Sequence, residues 1–182
     1  MNRSFDKNQP TEKLRTNVPR MLIAVAALLV IAYYGTTALS TQDPLWFTAG
    51  FSGQPARMIA FHNGQRTEIG ASHAAFADLA AAVQSSLAQG VSHASSIGYS
   101  QGSLEDAYNE YVTLEVFFEQ PVKLHATFNT GKATHMLFPL TGRHSEQPLV
   151  LLGYGGQYMA NAPVLKTVEP VRMVMRDLGY LP

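Results

Sequence analysis

The residues in this chain with the most chemical reach are its six histidines and a serine-rich loop. The histidines are His62, His73, His93, His125, His135 and His144. They form no HExxH pattern, and no two stand four apart, as a helical metal pair would require. Cysteine is absent, which excludes disulfides, thiol catalysis and thiolate metal sites. One histidine pair has a geometric case. Phe128-Asn129-Thr130-Gly131-Lys132 fits a three-residue hairpin loop with Gly131 left-handed. That register sets His125 opposite His135 on a wet face, with Leu124 opposite Met136 and Val122 opposite Phe138 on the apolar one. Imidazoles so placed stand about 5 Å apart at Cβ. They are candidates for sharing a metal with a third ligand, or for sensing pH. No third ligand is identifiable, and a two-residue Thr130-Gly131 turn would put them on opposite faces. Two ordinary exposed strand residues are the plainer reading.

The second candidate is Ser100. Gly98-Tyr99-Ser100-Gln101-Gly102 spells G-x-S-x-G, the elbow that presents a hydrolase nucleophile between a buried strand and a helix. The preceding SHASSI is a poor buried strand, so a polar loop over 91–102 is expected, with Ser100 the weaker alternative. Gly153-Tyr154-Gly155-Gly156-Gln157-Tyr158 lacks the Lys-Ser/Thr of a phosphate loop and reads as a turn, with Tyr154 and Tyr158 as contact surface. Arg143, in the polar turn 141–144, is a solvated loop residue that could pair an anion. No cofactor is expected.

These residues lie beyond an apolar run, Met21 to Leu39, that carries no charge. As a helix it spans about 28 Å, close to the ~30 Å hydrocarbon core of a bilayer. Arg3, Lys7, Lys13, Arg15 and Arg20 precede it, and the next basic residue is Arg57. The positive flank predicts a cytoplasmic N-terminus and an extracytoplasmic remainder in a cell membrane. Arg20, Tyr33, Tyr34, Trp46 and Phe47 are the expected interfacial residues. Residues 1–20 read as a disordered tail, and 40–55 as a juxtamembrane stalk. A cleavable signal is the competing reading, with Ala38 and Ser40, or Thr36 and Ala38, as its small-residue pair. The length of the run and the late tyrosines favour an anchor that is kept.

Residues 56–182 suffice for one domain. From Thr67 to Val122 there is no Lys or Arg, an acidic stretch that reads as a solvated face attracted to the basic residues from Lys123 onward, with an acidic surface for a basic partner or a cation as the alternative. Residues 40–182 carry 8 basic and 11 acidic side chains, which argues against nucleic acid as a partner. Asn63-Gly64 marks a hairpin between ARMIAFH and QRTEIG. Phe76, Leu79, Ala80, Val83 and Leu87 fall on one face of a helix from His73 to about Gln89, capped by Ser72. A short helix follows from Ser103, with Asp106 in a capping arrangement. VTLEVFFE, VKLHATF, ATHMLF and PLVLLGY read as four strands, and 168–178 as a last helix with Pro170 in its first turn.

The expected fold is α+β: a single span, then the order ββααββββα, with helices packed on one face of a mainly antiparallel sheet. Its βααββ portion, over roughly residues 65–138, resembles the element order of POTRA domains. No set of residues converges on a reaction. The expectation is a membrane-anchored binding or assembly domain, an accessory or scaffold subunit whose partners are the bilayer and another protein. A tethered hydrolase using Ser100, or a metal or pH-sensing domain using His125 and His135, is the alternative.

Overall fold

The structure, a computed structural model, describes residues 18–182. The expected tail therefore lies, up to residue 17, outside the described residues. Helix α1, Val18–Thr41, is the one described helix long and apolar enough to cross a membrane. It starts ahead of the apolar run, so Pro19 and Arg20 form its first turn. Its 24 residues would span about 36 Å at 1.5 Å per residue. None of its most apolar window is buried. Several of its hydroxyls bond within the helix: Thr36 Oγ1 donates to the Ala32 carbonyl at 2.9 Å and Thr41 Oγ1 to that of Thr37 at 2.8 Å.

The folded unit runs from Thr37 to Pro182. It is α+β. Six strands form one antiparallel sheet: β1 Pro55–His62, β2 Gln65–Ile69, β4 Thr113–Val122, β5 Ala133–Pro139, β6 Leu151–Tyr154 and β7 Gln157–Tyr158. Their spatial order is β2-β1-β4-β5-β6-β7. Strands β3, Val91–Ala94, and β8, Pro163–Leu165, pair separately. The helices are α2 Phe76–Ala88, α3 Gln101–Asn109 and α4 Glu169–Asp177.

Local chemistry explains the first hairpin. Asn63 and Gly64 both take positive φ, 50° and 78°, as a two-residue type I′ turn needs, and His62 pairs with Gln65. Helix α4 ends as its glycine suggests. Gly179 has φ 79°, its amide bonds the Arg176 carbonyl, and the Tyr180 amide reaches back to Met175, closing a Schellman motif.

Residue alternation sorts the sheet into two covered faces. On one, Met58, Leu114, Val116, Met136, Phe138 and Leu152 pack with Leu79 and Val83 of α2 and with Val171 and Met175 of α4. On the other, Leu137 and Leu151 pack with Ala107 of α3 and with Leu149, Ala162 and Val164. The expectation of helices on one face is thus corrected. Leu104, Ala107 and Tyr108 make an apolar stripe on α3, and it covers the face of Thr113 and Glu115, both buried. Continuous apolarity at Leu149–Leu152 follows from burial on both sides.

Two further readings change. Residues 91–94, expected in a loop, form β3, which separates α2 from α3 and breaks the POTRA-like order. VKLHATF is no separate strand. β4 continues through Pro121 to Val122, and β5 pairs with β4 directly, so the β4 edge is already occupied. Residues 123–132 form an irregular connection, in which Thr130 Oγ1 donates to the Leu124 carbonyl at 2.7 Å. Leu124 and Ala126 are buried, so the alternation there records packing against the core rather than strand pairing.

Candidate functional site

The candidate histidines do not meet. His135 faces Phe117 on β4 and Gly153 on β6, while His125 lies on the irregular connection. The cross-strand His125–His135 register is therefore not formed, because β4 occupies the edge it needed. Gly131 does take the left-handed conformation, φ 61°, but within that connection, where its amide bonds Asn129 Oδ1 at 2.8 Å.

His125 joins a clasp around the end of α1. Its Nδ1 lies 2.7 Å from Asp43 Oδ2, across 82 residues of chain. Asp43 is 4 % exposed, and its Oδ1 accepts the Leu45 amide at 2.9 Å. Burial alone would raise the Asp43 pKa. The hydrogen bonds from His125 and Leu45, with the nearby charge of Lys123, outweigh it and hold the carboxyl below its ordinary value. The carboxylate therefore accepts and the imidazole donates through Nδ1.

Beside them the helix ends in a second Schellman motif. The Gln42 amide bonds the Leu39 carbonyl, the Asp43 amide bonds that of Ala38, and Gln42 has φ 53°. Lys123 Nζ donates to the carbonyls of Thr41 at 2.8 Å and Gln42 at 2.6 Å. A cation at a helix C-terminus also complements the dipole. Residues 41–43, expected in a stalk, are thus held by the folded unit. Trp46 is half-buried and packs edge-on to exposed Phe47 at 5.7 Å.

An imidazole tied to a carboxylate through Nδ1 keeps Nε2 for a proton or a metal. His125 borders two cavities, of about 600 and 270 Å³. Among the described residues, however, no group of three or more His, Cys, Asp or Glu could hold a metal ion.

His135 belongs to a different cluster, under α3. Its ring stacks on Phe117 at 5.6 Å and meets Tyr158 edge-on at 5.0 Å. Arg57 sits over the outer Phe117 ring, 4.2 Å from its centroid. The Tyr158 hydroxyl donates to Glu115 Oε1 at 2.6 Å, and the Tyr108 hydroxyl lies 3.2 Å from that of Tyr158. Burial, then the Glu115 charge, pushes the Tyr158 phenol far up. Burial also raises Tyr108 and lowers His135, the latter opposed by Glu115. Tyr158 was legible only as turn surface; its bond to a strand 43 residues away has no local signal.

Ser100 is the N-cap of α3. Its Oγ accepts the Ser103 amide at 3.2 Å and lies 3.0 Å from Ser103 Oγ. The helix therefore begins earlier than the Ser103-based reading. A strand, a turn and a helix do surround Ser100, yet its hydroxyl is spent on capping and no histidine is hydrogen-bonded to it among the described residues. Ser72, by contrast, does not cap α2, whose N-cap is Ala75 with no side-chain bond; in the turn before it His73 Nδ1 accepts the Ala75 amide at 3.1 Å.

One apolar feature remains open. A cleft of about 760 Å³ runs between α2 and α4. Ala81 and Ala82 line one wall, Met173, Val174 and Leu178 the other, and Met173 is 55 % exposed. No known family model matches the chain, and comparisons with curated proteins and with solved structures gave no match either.

Proposed function

We propose that the chain is a membrane-anchored binding or assembly domain, an accessory or scaffold subunit of a membrane complex. In this reading α1 is a retained single span, the N-terminus is cytoplasmic and the folded unit is extracytoplasmic. The observation that carries it is the apolar cleft between α2 and α4. An open cleft of this size, with exposed Met173 and Leu178, is a surface that a partner protein would cover. The polar clusters support the reading by their commitments: Ser100 caps a helix, Asp43 and Lys123 hold the end of another, and Tyr158 satisfies Glu115.

Three measurements test it. Alkaline extraction should leave the full chain in the membrane fraction, and N-terminal labelling should recover residues ahead of Met21. Native purification from gently solubilised membranes should yield a stable companion protein. A lone monomer that labels with a fluorophosphonate at Ser100 overturns the proposal.

A further inference from the structure

Resting on that reading, we infer that the α2–α4 cleft receives an α-helix of a partner protein, apolar on one face and carrying lysine or arginine. Shape argues for a helix. The cleft lies between two helices whose lining positions recur at i, i+3, i+4 and i+7: 78, 81, 82 and 85 on α2, and 170, 173, 174 and 177 on α4, with Leu178 at its C-cap. Small side chains at Ala74, Ala81 and Ala82 let a third backbone approach, while Met173 adapts its unbranched side chain to an incoming ridge. This is the helix-in-groove mode of recognition.

Charge selects among apolar helices. Asp78 and Asp177 border the cleft, and no lysine or arginine lines it among the described residues. Neither carboxylate has an ion-pair partner among the described residues, since Arg176 turns to Glu169 and to the Pro182 carbonyl. The same carboxylates repel anionic lipid headgroups and disfavour a second acidic α2 face, so a basic helix is the complement.

The test uses the full chain in detergent micelles and two fluorescent leucine-alanine helical peptides, one bearing lysines and the other glutamates at the same positions. Fluorescence polarisation should show the lysine peptide binding. Ala81→Trp and Met173→Ser, both at exposed positions, should abolish binding without changing the circular dichroism. The double reversal Asp78→Lys with Asp177→Lys should weaken it about tenfold or more and transfer preference to the glutamate peptide. Equal binding of both peptides, still sensitive to Ala81→Trp, overturns the basic-helix assignment but leaves the cleft as a docking surface. Binding of neither peptide, with self-association lost in Ala81→Trp, assigns the cleft to a second copy and overturns the inference. Binding of anionic phospholipid vesicles in place of peptide overturns it in favour of lipid. If Ala81→Trp neither alters peptide binding nor displaces a native companion protein, the cleft reading itself fails.

Discussion

Gly153 and His135 are matched across neighbouring strands, and the match depends on the missing side chain. A Cβ at Gly153 would lie 2.0 Å from His135 Nε2. Gly153→Ala should therefore destabilise the fold by about 1–3 kcal/mol through overpacking. His135→Ala in the same chain should recover much of that loss. Urea unfolding of the two single variants and the double variant measures the coupling, and strict additivity would contradict it.

The Tyr158–Glu115 bond leads to a second expectation. Tyr158→Phe keeps the ring against His135 and removes the donor, leaving a buried carboxylate short of a partner. A loss of about 1–3 kcal/mol is expected. Tyr108→Phe removes only the outer hydroxyl and should cost less. Equal losses in chemical denaturation would mean that the network does not run in this order.

Stability should fall with acid in two stages. His135 has its pKa lowered by burial below the ordinary 6.5, so the unfolded chain takes up that proton first. Its contribution is complete above pH 6.5 and declines as pH drops from there toward the lower native value. Asp43 has a native pKa below 3.8; its contribution holds above that pH and is lost as pH falls below it. Thermal unfolding across pH should show His135→Gln flattening the first stage and Asp43→Asn the second.

Ser100→Ala removes an N-cap and should cost about 0.5–2 kcal/mol, with faster amide exchange at the start of α3. Ser100→Asp restores an acceptor at the cap and should recover most of it. A hydrolytic Ser100 would instead lose its activity in both variants.

How much of this was legible follows from distance along the chain. The long apolar helix α1, the Asn63-Gly64 hairpin and α4 with Gly179 are written in residues a few positions apart, where periodicity and turn chemistry act. Strands β3 and β8 were not legible, because each is short and its partner lies some 70 residues away. The clasp escaped for the same reason: nothing near Asp43 announces Lys123 or His125. The covering of the second face of β4 was not legible, because alternation reports that two faces differ, and it does not report that α3 covers the second. Among site residues, His125 and His135 were read as a cross-strand pair, and each instead has its own neighbours.

The outermost strands set a limit on how this molecule can join others. β7 is two residues long, and β2 bears Arg66 and Glu68. Short or charged borders of this kind discourage a foreign strand from adding to the sheet. The six-stranded sheet is thereby guarded at both borders against amyloid-like growth and strand exchange.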